Sequence, residues 1–169
     1  MRWGLVPSWA KDPSIGNKMI NARAETLLEK PSFKRLVGKR RCLVLADGFY
    51  EWRKEGKGKV PMRFLVKDKD PFAFAGLWDT WRKPDGSELR SFTIITTQAN
   101  DLLRQIHERM PVILYKRDEE KWLDPNISDP VRLLPLLASY PSELMEAYDV
   151  STLVNSPMND LPECIEELR

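Results

Sequence analysis

A chain of 169 residues fits one domain with room for a real core, and 42% hydrophobic with 31% charged residues is the balance of a soluble globular protein. No apolar run approaches membrane-spanning length, Pro7 and Ser8 break any signal-peptide pattern near the start, and two cysteines exclude a disulfide framework and fit a reducing compartment. The net charge of +2 is unevenly spread: residues 1–63 hold 15 Lys+Arg and 6 Asp+Glu, the remainder 12 and 19, which fits either an anionic partner for the first half or plain solvated surface.

The opening, Met1-Arg2-Trp3-Gly4-Leu5-Val6-Pro7-Ser8-Trp9, places two Trp close together, and these call for burial or for a ligand to stack on. It reads like the middle of a domain. Residues 11–18 are loop. Asn21-Ala22-Arg23-Ala24-Glu25 leads into a short helix through Leu27 and Leu28 that stops before Pro31. A second short helix is expected over 32–37 with Gly38 as its C-cap. The basic step Lys39-Arg40-Arg41 enters the first confident strand, over 41–45. After the turn Ala46-Asp47-Gly48 the chain re-enters an aromatic strand, Phe49-Tyr50-Glu51-Trp52, which leaves through a hairpin-like loop over 54–59. Further strands are expected over 62–66, 72–78 and 91–97, with turns at Lys67-Asp68-Lys69-Asp70 and Pro84-Asp85-Gly86. The stretch 72–78 is apolar on both faces and reads as a central strand. A helix over 99–106 delivers His107, residues 111–115 return as a strand, and 118–123 form a short acidic helix. The Pro-punctuated tail has helical pieces over 131–138 and 142–148 and an ordered loop over 155–163. Runs of strands with short helices predict an α+β fold with a mainly antiparallel, barrel-like sheet.

Alternation along the aromatic strand puts Phe49, Glu51 and Arg53 on one face and Tyr50 and Trp52 on the other. Apolar surroundings raise a carboxyl pKa, which suits a group that trades a proton near neutral pH. The alternative is an edge-strand Glu51 paired with Arg53 or Lys54. His107 is the one histidine, and histidine is the natural proton carrier near neutrality, though a structural role stays open. Arg109, two residues on, suits a phosphate or a structural ion pair. Asn21 and Arg23 point the same way if the segment is extended. Asn21 then meets a polar substrate or caps a helix. Thr96, at a strand end, either bonds a phosphate or is simply a β-former. There is no metal signature, no Gly-rich phosphate loop and no Ser nucleophile elbow.

Taken together, Trp3-Gly4-Leu5-Val6-Pro7-Ser8-Trp9, Asn21-Ala22-Arg23, Arg41-Cys42 through Gly48-Phe49-Tyr50-Glu51-Trp52, and His107-Glu108-Arg109-Met110-Pro111 resemble, in order and spacing, the SRAP (SOS response-associated peptidase) family. The resemblance covers nearly the whole chain as one domain. It implies a sensor of abasic sites in single-stranded DNA, in which an amine and thiol from a cysteine directly after the initiator Met close a protective thiazolidine on the sugar aldehyde. Carried onto this sequence, it implies that Asn21 orients the adduct. Glu51 is then the acid/base for imine formation, and His107 assists sugar ring opening. Arg23, Arg109 and Thr96 resemble the phosphate contacts, and Trp9 and Trp52 the aromatics that wedge or stack where the strand kinks. No cofactor, metal or membrane is implied, and the expectation is a cytoplasmic monomer associated with the nucleoid when bound to DNA. A basic groove with aromatic faces is also what single-stranded DNA binding requires.

The sequence departs from the family at its start, because Met1 is followed by Arg2. Cys42 matches the family's buried strand and Cys164 lies in the tail, so this chain is expected not to close the thiazolidine. The domain is expected to lack its first strand, as a fragment, a mis-started frame or a shortened member, which would expose a sheet edge. Two other readings stay open: a cysteine-type autopeptidase and a non-catalytic module for single-stranded nucleic acid.

Overall fold

The computed structural model describes residues 1–168 and is built around the apolar run that begins at Phe72. In chain order its strands are β1 (Arg2–Trp3), β2 (Asn21–Arg23), β3 (Arg41–Ala46), β4 (Phe49–Glu55), β5 (Gly58–Val66), β6 (Phe72–Arg82), β7 (Glu88–Gln98), β8 (Arg109–Pro111), β9 (Ile113–Leu114) and β10 (Met145–Asp149). The α-helices are α1 (Pro31–Val37), α2 (Asp101–Arg104) and α3 (Lys116–Leu123), and the other helical pieces are short 3₁₀ turns. A seven-stranded sheet follows the path β1-β7-β6-β3, with β2 and β8 also on β7 and β9 on β6. A second, three-stranded sheet has the order β10-β5-β4. Among the described residues only β1 and β2 run parallel to their partner, β7. The fold is therefore α+β and mainly antiparallel, and β6 is central, as its two apolar faces demand.

The sheets do not close into a barrel. Strand β3 pairs with β6, whereas β4, its successor in the chain, pairs with β5. The chain changes sheet at Gly48, where a Cβ would sit 2.8 Å from Arg63 Nε and 3.0 Å from the Phe64 carbonyl. Only glycine lets the backbone pass that close. Phe49 then stacks on Phe64 at 5.4 Å and meets Phe74 edge-on at 5.9 Å, which pins β4 against both sheets.

Several expected boundaries move for non-local reasons. The loop over 54–59 shrinks to a turn at Gly56 and Lys57, because β4 and β5 stay paired out to Glu55 and Gly58. The helix expected after Arg23 is one 3₁₀ turn, Ala24–Thr26, since Asn21–Arg23 is held as a strand on β7. The helix before His107 is only Asp101–Arg104, started by Asn100, whose side-chain oxygen accepts from Leu103 N–H at 3.1 Å. Residues 142–148 were expected to be helical, but only Ser142–Leu144 is a 3₁₀ turn, and the rest is β10, which covers the free side of β5 from Met145 opposite Val66 to Asp149 opposite Met62. Gly38 caps α1 without a left-handed conformation. It is glycine because a Cβ would lie 2.6 Å from the Ser128 carbonyl.

The basic first half is partly turned inward. Arg41 and Arg63 are buried, Arg63 Nη2 lies 3.0 Å from an Asp47 carboxylate oxygen, and Arg53 makes two hydrogen bonds to Asp149 at 2.9 and 2.8 Å. Arg53 is therefore not the partner of Glu51.

Candidate functional site

A cavity of about 540 Å³ lies between β4 and the facing surface of the larger sheet. Its wall includes Asn21, Glu51, Trp52, Thr96, His107 and Arg109, which arrive from β2, β4, β7, β8 and the turn after α2. Residues scattered over some 90 positions of sequence meet because β2 and β8 flank the same end of β7: Arg23 sits opposite Thr96, and Arg109 opposite Gln98.

Glu51 is half-buried, and among the described residues no hydrogen bond or ion pair engages its carboxylate. Burial pushes its carboxyl above the ordinary value, and the charge of His107 opposes part of that rise. The two side chains face the same cavity. The His107 Nδ1 lies 3.0 Å from both the backbone N–H and the carbonyl oxygen of Arg109. A neutral ring accepts from the N–H there, and a protonated ring donates to the carbonyl. One ring position thus serves both protonation states, which is what a proton carrier requires.

Asn21 is exposed at the start of β2, and Arg23 shares its face; Ala22 between them is buried. Asn21 is not a helix cap: the 3₁₀ turn that follows is capped at Arg23. Among the described residues no acid pairs with the Arg23 guanidinium. Arg109 is engaged differently. Its Nη1 and Nη2 donate to the two carboxylate oxygens of Glu25 at 2.7 and 2.9 Å, and Nη2 also donates to the Thr96 carbonyl at 2.7 Å. This fork holds the Glu25 carboxyl below the usual carboxylate range.

Trp52 flanks the cavity and donates its indole N–H to Asn155 Oδ1 at 2.7 Å. Trp9 does not reach the cavity. It is half exposed on a different surface beside Lys11, Lys18, Lys34 and Arg35. Trp3 lines the cavity in its place, exposed by 53% and steadied by its N–H on the Ile20 carbonyl at 2.8 Å. The resemblance carries the stacking role to Trp9 and Trp52 and leaves Trp3 without one; of these three, Trp3 and Trp52 line the cavity. Leu45, exposed by 75%, stands in the same wall and was missed, because strand alternation does not reveal which face of an edge strand is left uncovered.

Neither cysteine lines the cavity. Burial pushes the Cys42 thiol up to about 11, which makes it a poor nucleophile, and Cys164 is buried in the tail. Among the described residues no group of three or more His, Cys, Asp or Glu is arranged to hold a metal, and no helix is long and apolar enough to cross a membrane.

The sequence model of the family described as SOS response associated peptidase (SRAP) matches residues 1–157. The abasic site processing protein YoqW of Bacillus subtilis is 54% identical over 167 residues, covering 98% of this chain and 75% of that protein. The abasic site processing protein HMCES of Gallus gallus is 44% identical over 190 residues, and this chain spans 56% of its length. A crystal structure of a protein from Bacteroides thetaiotaomicron superposes with a TM-score of 0.92 at 38% identity, covering 99% of this chain and 75% of that one. The four motifs, the cavity that joins them and these likenesses agree: the chain belongs to the SOS response-associated peptidase family.

Proposed function

We propose that the cavity binds an abasic site in single-stranded DNA and manages the proton transfers of an aldehyde condensation there. The observation that carries this reading is the unpaired, half-buried Glu51 carboxyl sharing one cavity with His107, beside Asn21 and two exposed indoles. The relatives named as abasic site processing proteins supply the substrate class.

In this reading His107 moves the proton that opens the cyclic sugar to its aldehyde. An amine adds to that carbonyl to give a carbinolamine. Glu51, as the acid, protonates the hydroxyl that leaves as water, and an imine forms. A thiol on the neighbouring carbon then adds to the imine carbon and closes a thiazolidine, so aldehyde plus aminothiol becomes ring plus water. Asn21 hydrogen-bonds the adduct, and Trp3 and Trp52 hold the flanking bases by stacking. Neither Cys42 nor Cys164 lines the cavity, so in this reading neither is the aminothiol.

The test is incubation with abasic single-stranded DNA followed by a denaturing gel. This chain is expected to give no crosslink. The same sequence joined to a family start beginning Met-Cys is expected to give one. A crosslink from this chain means the nucleophile has been misplaced, and none from the joined chain sinks the covalent reading.

Arg23 carries the phosphate contact in this proposal, because Arg109 is already turned to Glu25. Arg23→Ala should weaken binding of abasic and intact single strands alike and lower the log-affinity against log-salt slope by about 0.7 per lost contact. Fluorescence anisotropy across a salt series measures this. An unchanged slope places the phosphate elsewhere.

A further inference from the structure

We propose that Glu25 is a positioning residue for His107, acting through Arg109. The proposal rests on the reading of His107 as the proton carrier of the site.

The end of β7 is gripped from both sides. On one side β2 places Arg23 opposite Thr96, and Glu25 follows two residues later; on the other, β8 begins at Arg109 opposite Gln98. The Glu25–Arg109 bridge passes over Thr96 and joins the two flanks, and Arg109 Nη2 adds its bond to the Thr96 carbonyl at 2.7 Å. The segment that carries Asn21 is thereby tied to the segment that carries His107. Bidentate Arg–carboxylate pairs fix a plane as well as a distance, so the grip sets the direction of the Arg109 side chain.

That direction matters because the backbone of Arg109 is what holds the imidazole. Its N–H and its carbonyl both lie 3.0 Å from His107 Nδ1. The N–H belongs to the Glu108–Arg109 peptide and the carbonyl to the Arg109–Met110 peptide, so a shift of the Arg109 Cα that joins them moves both contacts at once. The side-chain anchor of Arg109 is therefore the part of the network that keeps the ring presented with Nε2 free. The Glu25 side chain is 44% exposed, so the pair contributes little to overall stability and its substitution leaves the core intact.

The single histidine makes the test clean, because one imidazole gives one set of ring signals in a ¹⁵N-labelled sample of this chain. In the unaltered chain the His107 ring protons should show cross-relaxation to the Arg109 amide proton. In Glu25→Ala that cross-relaxation should be lost and the two ring nitrogens should shift toward averaged values. Glu25→Gln, which retains one acceptor, should fall between. Amide signals of β5 and β6 serve as the check that each variant is folded. Unchanged ring signals in a folded Glu25→Ala overturn the proposal. So does tighter binding of single-stranded DNA with unchanged ring signals, which would make Glu25 a mask over a phosphate site on Arg109. If the unaltered chain does not prefer abasic over intact strands, the functional reading fails while the ring measurement still decides the role of Glu25.

Discussion

Glu51→Gln should slow crosslinking by the chain joined to a Met-Cys start by about 10²–10⁴-fold, the usual size of a general acid–base contribution, while abasic DNA is still bound. Gln has the shape of Glu but cannot give up or take a proton. The same substitution should raise the melting temperature at neutral pH. Burial lifts the folded Glu51 carboxyl above its unfolded value, so the folded state holds that proton more tightly. The stability this brings is full below the unfolded carboxyl pKa and is lost as pH rises through the folded one. Gln escapes that loss, so the melting gap opens as pH rises and closes below the ordinary Glu range. The crosslinking rate of the unaltered joined chain should fall over the same rising limb as the acid form disappears. A Glu51→Gln variant that crosslinks at full rate reduces the site to a binding module, and one that melts lower at neutral pH contradicts the burial of an unpaired carboxyl.

Arg41→Met should be the most damaging single change to the fold. Its guanidinium donates to the Val37 carbonyl at 2.8 Å, to the Asp124 carbonyl at 2.6 Å and, through Nε, to the Trp122 carbonyl, while lying over the Trp122 ring. Those carbonyls belong to the C-terminal ends of α1 and α3, where backbone acceptors have no partner within the helix and the dipole favours a cation. A methionine fills similar space and leaves three acceptors without a donor. The loss is on the order of 3–5 kcal/mol, in line with breaking buried charged networks, and at about 2–4 °C per kcal/mol the melting temperature falls by roughly 10 °C. Calorimetry measures it. DNA affinity per folded molecule should stay the same, because Arg41 is buried behind the sheet. A small stability change together with a clear loss of DNA binding would place Arg41 in the interface and not in the frame.

The contrast between Arg41 and Arg23 shows how far composition carries. Both belong to the positive excess of the first 63 residues. One is an internal strut and the other an exposed cation, and nothing local distinguishes them. The same holds for Trp3 and Trp9, which sit six residues apart and face different surfaces. Strand alternation at Phe49 and Glu51 was legible because it depends only on chain neighbours. The helix expected over 142–148 failed because the segment's conformation is decided by β5, some 80 positions away, which offers an open edge to pair with.

By itself the sequence determined the alternating and doubly apolar strands, the turns, and the motifs whose order marks the family, since each depends on local spacing. Only the tertiary structure decided that β4 leaves the sheet of β3, that β2 and β8 bracket one end of β7, and that Glu25 holds Arg109. These are pairings between distant segments, selected by which edges and charges remain unpaired once the chain has folded, and no window of neighbouring residues contains that information.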